Sequence, residues 1–430
     1  GFMRPGKAAQ ELDPQALRQE VESRISNSAA SWRRYTCKLV TPMVGGGVSA
    51  GEIDRDMPIR ATAIRGQLRF WWRLLNRNRS DLLRADQKPD SGKLFAAERA
   101  IWGGLGDEKT LAASQVTVLV ETGPVAVRPS PKDVSPLGKM ILADSGAVVD
   151  WLPCNRPFEF IVSLRIGAGE ESVLQAFRMW ASFGGIGARR RRGLGAMEVF
   201  DAHGERVFAH KADRDAAKCV LYVMSGAGFD DYRKALEAGV KCLIDFRQKP
   251  GLARGLGQGS RPGGSYWPEA NAVRNLTKRA RPDNIHALGK ATPLLFPRAL
   301  LGLPIVFQFK LHERLGDPFS STLEVADDGE TARDRFASPL IFSAWPQTRG
   351  SRTIYQPVVL LLPTHNALRK LALKLKIAPS TTIPIAAGSW WPLDARVRRP
   401  VIPKALRALG GGKSDALLAF LQYFQQGGDQ

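Results

Sequence analysis

Four consecutive arginines within a glycine-rich stretch are the residues of this sequence best suited to binding an anion. The segment FGGIGARRRRGLG contains Gly184, Gly185 and Gly187, followed by Arg189, Arg190, Arg191 and Arg192. Guanidinium groups hold phosphate oxygens through paired hydrogen bonds, and glycines can leave backbone N–H groups uncovered in an anion-binding nest. Neighbouring arginines repel by only about 0.7 kcal/mol at roughly 6 Å in water, so a solvated turn is the alternative. We predict a phosphate-binding loop.

A second group of arginines lies on a predicted helix over residues 62–78. Apolar residues recur there at helical spacing, with Trp71 and Trp72 on the face predicted to be buried. Thr62 is predicted to cap the helix, whose N-terminus attracts phosphate. An anion along the arginine stripe would offset the repulsion between its members, whereas a solvated face is the alternative. The candidate nucleic-acid-binding residues of this region are Arg60, Arg65, Gly66, Arg69 and Arg73.

A third basic region covers residues 251–283 and contains aromatic residues among its arginines. Arg254 and Arg261 precede Tyr266 and Trp267. This composition suits a single nucleic-acid strand, because its bases can stack on exposed rings while its phosphates pair with arginines. The alternative is a segment that orders only when a protein partner binds.

Signatures of catalysis are weak in this sequence. Its five histidines form no metal-binding or His-Asp pattern. The acidic loop with Glu52, Asp54 and Asp56 could hold a metal for phosphodiester cleavage, but three acids in one loop are more often solvated. We therefore expect a protein that is not an enzyme and has no cofactor and no metal.

The net charge of the chain indicates the class of its partner, and its cysteine content indicates the cellular compartment. Lys and Arg number 62 against 41 Asp and Glu, a net charge of +21. Such a charge favours nucleic acid over an anionic membrane surface or an acidic protein, because the arginines cluster with glycines and aromatics. The four cysteines form no CxxC pair, as expected of reduced thiols in a cytoplasmic protein. No apolar segment is long enough to suggest a membrane span.

The elements that must position these residues form a repeated pattern. Alternation and helical periodicity predict the order β-α-β-β-α-β for the first half, which is the ferredoxin-like plan. The arginine run lies between its second helix and its last strand. We predict an α+β fold of two tandem ferredoxin-like domains with a glycine-rich loop, joined by a polar linker over residues 201–216. The predicted parts are an N-terminal helical extension at 1–30, a first domain at 31–203 and a second at 216–430 with the basic insertion 251–283.

The motifs together resemble the RAMP superfamily of CRISPR-associated proteins. TPMVGGG, IRATAIRGQLRFWWR and FGGIGARRRRGLG carry the resemblance in the first half, and YWPE, FPRALLGLPIVFQF and RFASPLIFSAW carry it in the second. Among RAMP proteins the chain most resembles the first subunit of the Cmr (type III-B) effector complex. The N-terminal 30 residues and the tail after about residue 365 have no counterpart in the resemblance.

The resemblance implies a subunit of a ribonucleoprotein that carries CRISPR RNA and captures complementary target RNA. It implies that the glycine-rich loop and the start of the Arg65 helix lie near RNA, with other Cmr subunits as neighbours and cleavage performed elsewhere in the complex. The alternative is a RAMP endoribonuclease that processes precursor RNA. It would use His286 or His312 as general base, or the loop of Glu52, Asp54 and Asp56 with a metal.

Overall fold

A computed structural model provides the structure of this chain. It describes residues 32–49, 51–105, 111–123, 128–129, 150–152, 158–167, 169–226, 228–257, 263–281, 295–309, 316–326, 335–391, 402–410 and 415–428, with Gln15, Arg18 and Gln19. The predicted N-terminal extension therefore lies almost entirely outside the described residues, as do Arg261, His286 and His312.

Helices and antiparallel sheets alternate along the chain, which confirms the α+β expectation. The helices are α1 Ala61–Asn76, α2 Ser91–Trp102, α3 Glu170–Phe183, α4 Lys211–Ala216, α5 Tyr232–Gln248, α6 Glu269–Thr277, α7 His365–Leu368, α8 Lys404–Leu409 and α9 Ala416–Gln425. The strands are β1 Trp32–Leu39, β2 Met43–Val44, β3 Gly104–Leu105, β4 Leu111–Ala112, β5 Val116–Thr122, β6 Arg128–Pro129, β7 Asp150–Leu152, β8 Phe158–Ile166, β9 Met197–Phe200, β10 Val220–Val223, β11 Ile305–Phe307, β12 Ser321–Val325, β13 Leu340–Arg349, β14 Arg352–Leu361, β15 Leu373–Ile377 and β16 Thr381–Ile385.

The main sheet of the first half has the strand order β5-β8-β1-β9, and every pairing in it is antiparallel. Strands β1 and β8 pair along their whole length, from Trp32 opposite Arg165 to Leu39 opposite Phe158. The strands alternate buried and exposed residues, as the sequence predicts for a sheet that is covered on one face. Helices α1 and α3 pack together over the buried face.

Helix α1 buries the face that its sequence predicts and begins one residue earlier than predicted. Ile64, Leu68 and the two tryptophans of this helix are fully buried. Arg60, not Thr62, occupies the position before the first turn, and its side chain makes no capping hydrogen bond. The prediction that Thr62 caps the helix is therefore wrong, because the helix has already begun at Ala61.

A second sheet covers the opposite side of α1 and α3. Its strand order is β10-β14-β13, and alternate residues of its strands face two different cores. Ile341 and Leu360 join the core of the first half, whereas Phe342 and Val359 face α5 and α9. The layers therefore run sheet, helices, sheet, helices, which is why the glycine-arginine stretch of the first half packs against the second half.

The remaining described strands form smaller sheets. Strands β11, β12, β15 and β16 pair in that order, β2 and β6 flank β7, and β3 pairs with β4. Residues 201–216, predicted to be a polar linker, include the helix α4, which packs against α1 and α3. No helix among the described residues is long and apolar enough to cross a membrane.

Candidate nucleic-acid interface

A groove of about 670 Å³ separates the first half of α1 from the loop that follows α3. Its floor is apolar and includes Phe70, Trp71 and Phe183. Predicted site residues from regions far apart in sequence line its walls, namely Arg60, Gly66, Gly184, Gly187, Arg189, Arg190 and Arg191. The other predicted residues that the structure describes, Gly185, Arg192, Arg65, Arg69, Arg73, Arg254 and Trp267, do not line it. The structure therefore brings together about half of the predicted set.

The glycines of this loop are required for close packing of one backbone on another. Gly187 has φ +73°, and a Cβ there would lie 2.7 Å from the carbonyl oxygen of Val44. The next residue, Ala188, donates its amide hydrogen to that same oxygen at 2.7 Å. The loop thus lies directly on the segment that follows β1, and this contact forms one end of the groove.

Several backbone amides of the loop are already used inside the protein. The amides of Ile186 and Ala188 donate to the carbonyls of Gly195 and Val44, and the amide of Gly184 donates to Trp180 at 2.7 Å. The amide of Gly193 donates to Arg190. These four amides cannot bind a phosphate. Of the three glycines predicted to form an anion nest, Gly184 is therefore excluded as a donor.

The arginine run lies in an environment that is unfavourable for positive charge. Arg189 is exposed, whereas Arg190 and Arg191 are half-buried beside one another. Burial lowers the pKa of Arg190, and burial together with the neighbouring Arg190 lowers the pKa of Arg191 to about 10. Arg191 donates to the carbonyl of Ser338 and lies 5.9 Å from the ring of Phe70.

Carboxylates do not neutralise this part of the groove. Among the residues that the structure describes, no Asp or Glu pairs with Arg189, Arg190 or Arg191. Other partly buried arginines do have such partners, as Arg178 has in Asp213 and Arg298 has in Glu269. Since a partly desolvated cation is stabilised by a nearby anion, the groove favours an anionic ligand.

The arginine stripe of α1 has a different role from the predicted one. Arg69 donates to Glu98 of α2 at 2.6 Å, and Arg73 lies 3.6 Å from the same carboxylate. Arg65 donates to the carbonyl of Trp102 and to the hydroxyl of Ser114. The stripe therefore ties α1 to α2 and to the loop before β5. The sequence did not predict α2, because this helix is only weakly amphipathic. It therefore did not reveal that α2 supplies partners to the arginine stripe.

Replacing Arg69 with glutamine is expected to affect stability more than RNA affinity. Glu98 is only 2% exposed, so its carboxylate would lose its nearest partner, with Arg73 compensating in part. We expect the free energy of unfolding to fall by about 1–3 kcal/mol. Chemical denaturation measures this loss. A large drop in the RNA affinity of the folded variant would instead support the original prediction that Arg69 contacts RNA.

The third predicted region does not present its tryptophan to a ligand. Trp267 is 2% exposed and packs against Phe246 at 5.5 Å between ring centroids, with the guanidinium of Arg298 also over its ring. The prediction that bases stack on Trp267 is therefore wrong for this structure. Tyr266, its neighbour in sequence, is 54% exposed. Arg254 is partly buried, and its carbonyl accepts from the amide of Gly251.

The acidic loop before α1 is organised by its own backbone. One carboxylate oxygen of Asp54 accepts from the amides of Asp56 and Met57, both at 3.0 Å. Within the described part of the chain, no three His, Cys, Asp or Glu side chains are grouped so that they could hold a metal ion. The geometry of Asp54 is that of a residue that shapes the turn into α1.

A protein-family model matches part of the chain and agrees with the resemblance that the motifs indicate. Residues 36–135 match the sequence model of the RAMP superfamily. The crystal structure of Cmr1 from Pyrococcus furiosus in its apo form is 17% identical, covers 77% of this chain and 88% of its own, and gives a TM-score of 0.30. A cryo-EM structure of the Type III-B Cmr-beta bound to cognate target RNA is 15% identical. The match covers 46% of this chain and 69% of that chain, with a TM-score of 0.27. No curated protein sequence matches the chain. The match of residues 36–135 to the family model confirms the RAMP resemblance.

Proposed function

We propose that this chain is a non-catalytic, RNA-binding RAMP subunit of a type III-B (Cmr) CRISPR ribonucleoprotein. It helps to hold the 3′ part of the CRISPR RNA and to capture complementary single-stranded target RNA, together with other Cmr subunits. The observation that carries the proposal is the groove in which Arg189, Arg190 and Arg191 meet the start of α1 without carboxylate partners among the described residues.

The chemistry of the groove supports a phosphate backbone as its ligand. The groove combines an apolar floor with guanidinium groups on one wall, and Gly66 on the facing wall has no atom within 4 Å of where its Cβ would lie. A strand can therefore approach the α1 backbone closely there. The net charge of +21 adds long-range attraction to any polyanion. The choice of RNA over DNA rests on the RAMP resemblance.

The fold part of the proposal is that both halves are ferredoxin-like. The order β5-β8-β1-β9 is that of a β-α-β-β-α-β unit whose first and third strands are central. In the second half, β10, β14 and β13 follow the same order with α5 after the first strand. The second sheet would then belong to a second ferredoxin-like unit, in which the described residues include no strand equivalent to β9.

The proposal is tested by measuring binding of single-stranded RNA over a series of salt concentrations. Each phosphate contact contributes about −0.7 to the slope of log affinity against log salt. Replacing Arg189, Arg190 and Arg191 together with glutamine should make the slope shallower by about 1.4 to 2.1, if two or three contacts are lost. Affinity at 0.1 M salt should then fall roughly 10- to 100-fold.

A matched control removes the same charge elsewhere. Arg79, Arg84 and Lys88 are exposed and do not line the groove, so the triple glutamine variant at these positions changes net charge equally. Its slope should stay close to that of the unchanged protein. Equal slopes for all three proteins would refute the assignment of the groove as the site that binds RNA phosphates. Metal-dependent RNA cleavage that is lost in Asp54→Asn would contradict the non-catalytic role.

A further inference from the structure

The groove between α1 and the loop after α3 has two chemically different parts. The arginine run forms one wall, whereas the floor is apolar and includes Ile64, Trp71 and Phe183, which are almost fully buried by the rest of the protein. A phosphate can pair with the guanidinium groups of the wall. It gains nothing from the floor, because a charged group that leaves water for an apolar surface loses its hydration without gaining a partner. The floor therefore fits an uncharged part of the ligand.

A neutral polar side chain of α1 lies on the helix face that lines the groove. Ala63, Gln67 and Phe70 are spaced by four and three residues, so they share one face of the helix, and all three line the groove. Gln67 is partly exposed, and its amide carries no charge. The helix thus places a neutral hydrogen-bonding group beside the apolar floor.

The amide of Gln67 has a fixed orientation. Its Oε1 accepts a hydrogen bond from Nε1 of Trp180 at 3.1 Å. Because an indole N–H only donates, the oxygen of the amide, and not its nitrogen, faces Trp180. Trp180 is fully buried near the end of α3, and a Cβ at Gly184 would lie 2.4 Å from its Cδ1, the carbon next to Nε1. Since Gly184 lines the groove, this hydrogen bond joins α1 to α3 at the groove.

The nitrogen of the same amide has hydrogen-bond donors to offer. Within the described parts of the chain, Nε2 of Gln67 makes no hydrogen bond. Because Trp180 holds the oxygen, the amide presents N–H donors to a ligand and therefore suits an acceptor. A carbonyl oxygen of a base is such an acceptor. It is uncharged, and it belongs to a planar ring whose face can rest on an apolar surface.

We propose that the groove takes a base of single-stranded RNA as well as phosphate. The base lies on the apolar floor, and one of its carbonyl oxygens accepts a hydrogen bond from Nε2 of Gln67. The proposal rests on the proposed RNA-binding function and deepens it, since it adds a base contact to the same site. The volume of about 670 Å³ is within the range of pockets that enclose small molecules, so a base and its phosphate can share the groove. Uracil, cytosine and guanine carry a carbonyl oxygen and adenine does not, so the groove favours the first three.

The test is to remove the N–H donors of Gln67 and to measure the contribution of the bases. Binding is measured to single-stranded oligouridine and to a strand of equal length with stable abasic spacers in place of its bases. The unchanged protein should bind oligouridine about tenfold more tightly, as expected for one base held against aromatic side chains. In Gln67→Met this ratio should fall to about twofold, because one hydrogen bond to the base is lost. The salt slope should stay the same, because the change leaves the charge of the groove unaltered.

Further variants separate ligand binding from a structural role of Gln67. Gln67→Glu keeps an oxygen that accepts from Trp180 but has no N–H donor, so it should also lower the ratio to about twofold. Gln175→Met makes the same change at a partly exposed position of α3 that does not line the groove, and it should keep the ratio of about ten. Oligoadenosine should bind Gln67→Met and the unchanged protein equally, because adenine has no carbonyl oxygen. If Gln67→Met does not fold, Gln67→Glu is the decisive variant.

Four results would overturn the proposal. The first is equal binding of oligouridine and the abasic strand by the unchanged protein. The second is an undiminished ratio in folded Gln67→Glu, which would show that Gln67 only holds Trp180. The third is an equal loss of affinity for oligouridine and the abasic strand in Gln67→Met, which would assign Gln67 to phosphate or ribose. The fourth is an equal loss for oligouridine and oligoadenosine, which would exclude a carbonyl oxygen as the acceptor. In each case, a shallower salt slope in the triple glutamine variant of the arginine run would leave the proposed RNA-binding function standing.

Discussion

Gly195→Ala is expected to lower the free energy of unfolding by more than about 3 kcal/mol, and with it the RNA affinity. Gly195 has φ +62°, and a Cβ at this position would lie 1.8 Å from the carbonyl oxygen of Ile186. The amide of Ile186 donates to the carbonyl of Gly195 at 2.9 Å, so the two strands of the loop cannot separate without losing this bond. Relief of the overlap would therefore distort the loop that carries the arginines.

A second glycine separates the effect of conformation from the effect of crowding. Gly204 also has a positive φ, +78°, but nothing lies within 4 Å of its hypothetical Cβ. Gly204→Ala should therefore cost only about 1–2 kcal/mol, the ordinary penalty for a side chain in this backbone region. Urea denaturation of both variants measures the difference. Equal losses at the two positions would show that the overlap with Ile186 is relaxed at little cost.

Asp213→Ala is expected to cost about 3–5 kcal/mol, because it removes one member of a buried ion pair. Asp213 is 1% exposed, and its carboxylate accepts two hydrogen bonds from Arg178 of α3, at 2.8 and 2.9 Å. It also accepts from the amide of His210 at 2.9 Å, at the start of α4. Among the described residues, loss of the carboxylate would leave the Arg178 guanidinium with the more exposed Glu171 as its remaining acidic partner.

The same ion pair predicts a dependence of stability on pH. Burial opposes the charged form of Asp213, but the hydrogen bonds from Arg178 and from the His210 amide outweigh it, so the pKa lies below the ordinary value of 3.8. A carboxyl group with a lowered pKa in the folded state stabilises the fold above its unfolded-state pKa. This contribution should be lost as the pH falls from about 4 through the lowered value.

Denaturation as a function of pH checks both statements. Asp213→Asn should remove this part of the acid sensitivity, since asparagine does not titrate. Asp215→Asn is the matched control, because Asp215 lies two residues away on α4 in an exposed pair with Lys211. It should change stability by less than about 1 kcal/mol. An equal loss of unfolding free energy in Asp213→Asn and Asp215→Asn would show that the buried ion pair has no special importance for stability.

The sequence determined most of the helices and strands that build the site. The spacing of Ile64, Leu68 and Trp71 predicted which face of α1 is buried, and alternation predicted β8 to the residue. These features are local, because they depend on residues within one or two turns of each other. The sequence alone also identified the arginine run as a main concentration of positive charge, and the structure places that run beside the groove.

Contacts between distant segments decided which arginines are available to a ligand. Arg69 is held by Glu98 of a helix that the sequence did not reveal, and Trp267, which looked like a stacking surface, is buried against Phe246. Local patterns do not show these partners, which lie 29 and 21 residues away.

The sequence by itself therefore determined the type of chemistry, positive charge beside flexible backbone, and the elements that flank it. The tertiary structure alone decided that Gly187 packs against β2 and that Arg190 and Arg191 are half-buried beside the first half of α1. It also decided that a second cavity, of about 310 Å³, lies beside α5 and the residues after α9. The physical reason is that burial and ion pairing depend on contacts between segments far apart in sequence, from 29 residues for Arg69 and Glu98 to 147 for Arg191 and Ser338, which only the packed layers bring together.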